Sequence, residues 1–417
     1  MPRRERVFRS ICFFIAVIFA AGCASTNVPP IGAGPEPFRL AADERMLWQM
    51  SLEEEHKLEE SEKIYRDPLL EDYLNGVGQR LIPESVKREN IGFRFTVIDD
   101  PSLNAFTFPT GSVYIHTGLI ARLENEAQLA HVLAHETTHV VERHPLRFYR
   151  DARNKQIGFT IAGIAASIGL AALGAKESEE GHPVRGAVIA QTGQVFLQLG
   201  LQLALLASVS GYGRELESAA DEGGMSLMVA AGYDPKEVPR TFELLLAESE
   251  DESGLEHFFY GSHPTNQQRL ANAETLLATQ YAAYAADPNL IVNTEEFQRR
   301  TRVLVREDAR LNIEAGRFGR ARIELDRVLA LTPNDAVAHY YLGEWYRLGG
   351  TGQPDLLEAE RCYRLALSYN PEYPEAHKGL ALVAYKLADS SLAIQEFERY
   401  LALRPDADAP APRERGL

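Results

Sequence analysis

Residues 135–139 read His135-Glu136-Thr137-Thr138-His139. On an α-helix, positions i and i+4 project from one face, one turn apart. Two imidazoles at that spacing can share one tetrahedral ion, with the Glu136 carboxylate beside its open position. The flanking residues predict such a helix. Glu124, Asn125 and Glu126 place a cap and negative charge at its start, which suits the positive end of the helix dipole. Leu129, Val132, Leu133 and Ala134 then give an apolar stripe at helical spacing. Two histidines on a solvated helix are the alternative, and that stripe argues against it. Histidines on a buried helix need partners, and a metal is one.

Two histidines do not complete a protein zinc site; a third protein ligand is expected. The segment Arg214-Glu215-Leu216-Glu217-Ser218-Ala219-Ala220-Asp221 offers two carboxylates, Glu217 and Asp221, at i and i+4. One can ligate. The other can accept the second ring N–H of a ligating histidine and hold its tautomer. Ala219 and Ala220 are small enough for close packing against the first helix. Taken alone, this acidic stretch reads as a solvated face; next to His135 and His139 it reads as part of the site. His131, four residues before His135, lacks the intervening Glu and is expected to pack. His144, in Glu142-Arg143-His144-Pro145, is expected as a partner of the helix C-terminal dipole.

HETTH followed much later by RELESAAD resembles the CAAX-prenyl-protease-like zinc metallopeptidase family (peptidase family M48), whose pattern is HExxH then ExxxD. Asp67-Pro68-Leu69-Leu70 with Tyr73, Asp100-Pro101-Ser102-Leu103-Asn104-Ala105-Phe106, and Ser262-His263-Pro264 with Arg269 resemble further family elements in the same order. The resemblance covers roughly residues 45–280. It implies one Zn2+ per chain held by His135, His139 and Glu217, with Glu136 as catalytic base and Asp221 supporting a ligand from behind. For His263 it leaves open a reversible inhibitory ligand or simple packing. Arg269 is left either to steady the site or to stabilise the developing oxyanion.

The N-terminus, MPRRERVFRS then ICFFIAVIFAAGC, has a basic start, a short apolar run and small residues, as a secretory signal does. The run is too short for a comfortable membrane span. Ala20-Ala21-Gly22-Cys23 resembles a bacterial lipobox, which implies lipidation at Cys23 and outer-membrane anchoring; ordinary cleavage nearby is the alternative. Residues 24 to about 38 are Pro/Gly-rich and read as a tether. Three cysteines (Cys12, Cys23 and Cys362) leave a processed chain no internal disulfide, so the fold must rest on its core. A net charge of −16 disfavours nucleic acid and anionic lipid as main partners.

The chain is expected to be mainly α with a small β-sheet: a HExxH zincin protease domain over 45–285, then an α-helical repeat (tetratricopeptide) solenoid over 296–408 and a short tail. Residues 42–82 are helical in pattern. Residues 92–98 alternate as a strand, and 103–108 with 112–116 read as a hairpin around Pro109-Thr110-Gly111. An exposed edge strand can take substrate backbone as an added strand. The Gly/Ala-rich runs 157–175 and 186–211 read as a buried or membrane-leaning helical hairpin, since Gln191, Gln194, Gln198 and Gln202 would be costly in lipid; a pair of membrane helices is the alternative. Beyond 300, Pro371 and Pro405 stand 34 apart (405 − 371), the tetratricopeptide period. Leu380-Ala381, Ala393 and Phe397 fit that repeat. So do Leu342-Gly343, Ala359, Tyr363 and Ala366, with extra residues at 349–353, and 302–335 reads as a degenerate copy. Such stacked pairs bind client proteins in a groove, or merely brace a neighbouring domain. Signal, protease type and repeats together resemble the periplasmic beta-barrel assembly-enhancing proteases of Gram-negative bacteria. That implies misfolded or stalled outer-membrane proteins as substrates and the barrel assembly machinery as a partner. A non-proteolytic or autoinhibited periplasmic scaffold or chaperone, binding clients through its repeats, is the rival.

Overall fold

The computed structural model describes residues 24–61, 63–155, 212–251 and 266–404. The signal segment with Cys12 and Cys23, the runs 157–175 and 186–211, His263 and Pro405 lie outside the described residues. The chain folds as two compact units. Of the described residues, one comprises those up to Val97, Asn104–Ile115 and those within Glu126–Val292. The other comprises Ile98–Leu103, His116–Asn125 and those from Asn293 to Arg404.

In the first unit, the stretch 42–82, expected to be helical, forms two helices, α1 (Ala42–Glu60) and α2 (Pro68–Leu81). The break has a local cause. Pro68 has no N–H to donate and starts the second helix, while the Asp67 carboxylate caps it, accepting from the N–H groups of Leu69 (3.0 Å) and Leu70 (3.2 Å). Leu70, Leu74, Val77 and Leu81 then form the buried face of α2. After a short helix, α3 (Glu84–Lys87), come strands β1 (Arg94–Ile98), β2 (Ala105–Thr107) and β3 (Ser112–His116). The sheet order is β1-β3-β2, and β2 pairs antiparallel with β3 in the register Ala105 to Ile115, Phe106 to Tyr114 and Thr107 to Val113. Gly111 takes φ +98° in the connecting turn, a value that favours glycine. All five residues of central β3 are buried, so its sequence is not cleanly alternating.

A one-and-a-half-turn helix, α4 (Thr117–Arg122), precedes α5 (Glu126–Val141), which carries HETTH. Every residue of α5 from Glu126 to Val140 is buried. Around it pack α2, β2, α7 (Arg214–Ala230) and α8 (Glu237–Asp251). Between α5 and α7, residues 144–155 form α6. The unit continues through α9 (Asn266–Ala278) and α10 (Ala282–Ala285). The close approach of α7 to α5 is made by Gly223 and Gly224 rather than at Ala219, which is only half-buried. A Cβ on Gly224 would lie 2.9 Å from the His135 backbone nitrogen, and one on Gly223 2.5 Å from Thr138 Cγ2.

The Pro/Gly-rich N-terminal stretch is not a free tether. Val28 is buried in a cluster with Leu47, Leu146 and Tyr149. Ile31 is also buried, and its N–H donates to Val141 O (2.8 Å), an otherwise orphaned carbonyl at the end of α5. Arg143 and Arg150 hold Glu44 and Asp43 of α1 in two-pronged pairs. Two apolar residues and these pairs outweigh what composition alone suggests.

In the second unit, α11 (Thr294–Glu314), α12 (Phe318–Leu331), α13 (Ala336–Gly349), α14 (Gln353–Tyr369), α15 (Pro374–Lys386) and α16 (Ser390–Leu403) each pack on the next. The first helix opens at Thr294, two residues before the expected start of the solenoid at 296 and ahead of the degenerate copy read over 302–335, because Phe297, Thr301, Leu304 and Val305 belong to its buried stripe. Ala321, Ala359 and Ala393 are buried where helices meet, and Gly343 and Gly379 flank the Tyr363 ring. The extra residues at 349–353 fall in the turn between α13 and α14. This unit also holds α4: Arg122 pairs with Glu324 (2.9 Å), both buried, and Arg327 donates to the carbonyls of Ala121 (2.5 Å) and Leu123 (3.0 Å). Cys362 is buried and unbonded. Among the described residues, no helix is long and apolar enough to cross a membrane.

Candidate metal centre

The position of α5 is set first at its N-terminus. The buried Glu126 carboxylate accepts from Tyr73 Oη (2.7 Å), Tyr233 Oη (2.8 Å) and Arg80 Nη2 (2.6 Å). A paired anion at a helix start is favourable on both counts. Two turns on, His135 and His139 face each other with Nε2 atoms 3.1 Å apart. Glu217 of α7 brings Oε2 to 3.3 Å from His135 Nε2 and Oε1 to 3.8 Å from His139 Nε2. All three side chains are buried, and their ligand atoms lie within 4.8 Å of one another.

This donor set fits zinc. A tetrahedral ion about 2.0–2.1 Å from each nitrogen or oxygen holds its donors roughly 3.3 Å apart, close to the 3.1 and 3.3 Å found. Two imidazole nitrogens and a carboxylate, converging in a dry site, repel unless a proton or cation lies between them. The proton is held tightly: burial alone would lower the His135 pKa, but hydrogen bonds to Asp221 and Glu217 outweigh it and push it up to about 9. A divalent cation is the natural replacement for that proton. Glu136, adjacent in sequence and fully buried, is pushed up to about 7 by burial. A carboxylate that exchanges protons near neutrality suits general-base work.

Behind the cluster stands a second layer. Asp221 Oδ1 lies 3.0 Å from His135 Nδ1. Arg269 grips Asp221 through Nε (2.9 Å) and Nη2 (2.6 Å), and its guanidinium lies over the Phe242 ring at 4.8 Å. Burial would raise the Asp221 pKa, yet the Arg269 charge and its hydrogen bonds hold it well below the usual carboxylate range. Arg269 Nη2 is also 3.4 Å from His135 Nδ1.

Two contributors escaped the sequence. His144, expected at the helix C-terminal dipole, is instead buried with Nδ1 2.9 Å from His139 Nδ1. Arg143, at φ +56°, turns the chain sharply after α5 and folds His144 back against it. Tyr212 lies with its ring 4.5 Å from that of His139, and its N–H donates to Glu217 Oε1 (2.7 Å). Its one sequence mark is the triplet Gly211-Tyr212-Gly213 before the acidic helix. His131 packs edge-on against Phe242, its ring centroid 5.2 Å away, and takes no part in the cluster. In the second unit, Ser102 Oγ (2.8 Å) and Asp100 Oδ1 (3.6 Å) both meet His116 at Nδ1. A nucleophile and its orienting acid need opposite ring nitrogens, so this trio is not a serine triad.

Comparison with known proteins agrees with this centre. The chain is 30% identical over 243 residues to the Beta-barrel assembly-enhancing protease of Escherichia coli (strain K12), covering 58% of this chain and 44% of that one. To the protein of the same name from Yersinia pestis it is 28% identical over 207 residues, 50% of this chain and 39% of that one. To the Mitochondrial metalloendopeptidase OMA1 of Schizosaccharomyces pombe it is 30% identical over 205 residues, 49% of this chain and 52% of that one. The aligned region thus spans about half or less of each relative's length. The family model for Peptidase family M48 matches residues 68–277, a span that takes in HETTH, Glu217, Asp221 and Arg269. Half of this chain is therefore built on that pattern, and the chain belongs to peptidase family M48, a family of metalloproteases.

Proposed function

We propose that the chain is a zinc-dependent endopeptidase of the bacterial cell envelope, acting on misfolded or stalled outer-membrane proteins. One observation carries the catalytic part: the convergence of His135, His139 and Glu217 with Glu136 buried next to them. His135, His139 and Glu217 are assigned as ligands. Zinc held there supplies Lewis-acid chemistry, polarising a scissile carbonyl and acidifying a water molecule. Glu136 takes a proton from the attacking water and delivers it to the departing amine nitrogen. Asp221, locked by Arg269, fixes the His135 ring so that Nε2 faces the cluster. No enzyme nucleophile is required.

Substrate backbone is assigned to the edge of the sheet. β2 is an edge strand that packs against α5, and because all three of its residues are buried, strand addition there requires the groups that cover it to move aside. Strand addition reads backbone rather than sequence, which suits a protease of unfolded clients. The three helical pairs from Thr294 to Leu403 are read as tetratricopeptide repeats that recruit those clients and, with them, the barrel assembly machinery. The name of the Escherichia coli relative, Beta-barrel assembly-enhancing protease, supports work on barrel proteins. The sequence before residue 24, read as a secretory signal with lipid on Cys23, supports a location in the periplasm at the outer membrane. The test is Glu136→Gln in the full chain. It should retain zinc and lose about 10²–10⁴-fold of its cleavage of an unfolded barrel protein; undiminished cleavage removes Glu136 from the mechanism.

A further inference from the structure

The two histidines of HETTH are held from behind in different ways. Each points Nε2 into the cluster and turns Nδ1 outward. His135 Nδ1 meets a carboxylate, Asp221, at 3.0 Å. His139 Nδ1 meets another imidazole, that of His144, at 2.9 Å. We propose that His144 is a positioning residue of the metal centre: its Nδ1 lone pair accepts the Nδ1–H of His139 and so fixes the tautomer and ring plane in which His139 offers Nε2 to the ion.

The chemistry follows from proton counting. A histidine that gives Nε2 to a metal carries its proton on Nδ1. His144 Nδ1 lies within hydrogen-bond reach of that atom, at 2.9 Å, and is assigned as its acceptor. His144 consequently keeps its own proton on Nε2. That nitrogen is buried and has no hydrogen-bond partner among the described residues. A buried donor left without a partner costs free energy, and exchanging the ring for an aliphatic one would remove that cost. Packing alone gives no reason for an imidazole there; an acceptor for His139 does. Tyr212 completes the clamp. Its ring covers His139 at 4.5 Å and meets His144 edge-on at 6.2 Å, and its N–H fixes Glu217, so one residue steadies two assigned ligands.

This inference rests on the three-ligand zinc reading, and the experiment separates the two. Zinc affinity of the full chain is measured by competition with a chromophoric chelator, and ligand geometry by the visible absorption of the cobalt-substituted protein. Asn and Leu have the same shape, but Asn places Oδ1 where Nδ1 of His144 stood and Leu places a methyl. His144→Leu should weaken zinc binding about 10–100-fold, the usual effect of removing such a support, and alter the cobalt spectrum. His144→Asn should stay within about threefold of the wild type and keep its spectrum. If the Leu variant does not fold, His144→Gln replaces it: its amide reaches one bond too far and should fail as Leu does. Equal zinc affinity in all variants, or equal loss in Asn and Leu, overturns the proposal. Glu217→Ala is run alongside. If it too keeps a full equivalent of zinc, the ligand assignment fails; if it loses zinc while His144→Leu does not, only the role of His144 falls.

Discussion

Replacing Gly224 by alanine perturbs the contact on which the metal centre is built. The new Cβ would stand 2.9 Å from the His135 backbone nitrogen and 3.1 Å from its Cα. Ordinary contact begins at about 3.5 Å, so α7 must retreat from α5 by roughly half an ångström. Neither obstacle is a side chain that can rotate away. Glu217 lies seven residues earlier, two turns up the same face, and moves with the helix. Two effects oppose each other in the stability. Alanine gains about 1 kcal/mol over glycine in a helix interior, while overpacking costs about 1–3 kcal/mol. Gly76→Ala provides the reference, because Gly76 is an exposed position of α2 with nothing within 4 Å of its added Cβ. The propensity gain is common to both, so the difference between the two variants isolates the contact. Urea unfolding of the zinc-free protein should place Gly224→Ala about 1–3 kcal/mol below Gly76→Ala. Zinc affinity should fall at least about tenfold in the first variant and not in the second. A stability difference under about 0.5 kcal/mol with unchanged zinc affinity would refute the view that this glycine sets the site.

Other outcomes follow from the same geometry. Glu217→Ala should lose most of its zinc, read by metal analysis after purification without added metal. Arg122→Ala leaves Glu324 and Asp308 buried together without their cation, and should cost about 3 kcal/mol in the unfolding of the second unit; a loss under about 1 kcal/mol would show the pair to be dispensable. Burial pushes the His131 pKa down to about 3, so the folded chain refuses a proton that the unfolded chain accepts below about 6.5. The stability from this group is therefore present above that pH and is lost as pH falls towards 3. Between pH 7 and 5 the wild type should lose about 2 kcal/mol more than His131→Leu, and equal losses in urea titrations would exclude His131 as the source.

What the sequence made legible was what repeats at fixed spacing. Two imidazoles at i and i+4, and two carboxylates at i and i+4, define helix faces whatever surrounds them. The structure brings His135, His139, Glu217 and Asp221 together from two helices, and adds Arg269 through its pair with Asp221. The helix–hairpin–helix order of the first unit was readable for the same reason. His144 was not, because its contact depends on a left-handed turn at Arg143 that no periodicity announces. Ala220 is buried as expected, but Gly223 and Gly224 were passed over for Ala219, since spacing alone does not say where two helices cross. The allotment of His116–Asn125 to the second unit was equally hidden. It depends on Arg122 and Arg327 finding partners two hundred residues away. His263, Cys23 and the run 157–211 fall outside the described residues, so what was expected of them stands as proposal.

The N-terminal stretch has a mechanical meaning. Ala24 is pinned to the body, its N–H donating to Asn154 Oδ1 (3.1 Å) and its carbonyl accepting from Nδ2 (2.7 Å). Fifteen loose residues would have let the catalytic body wander about 20 Å from its point of attachment. With the first of them fastened down, the lipid proposed on Cys23 would work as a bolt rather than a leash. An enzyme held in that way would patrol only the bilayer surface it is fixed to, and its proposed clients would have to be delivered to it there.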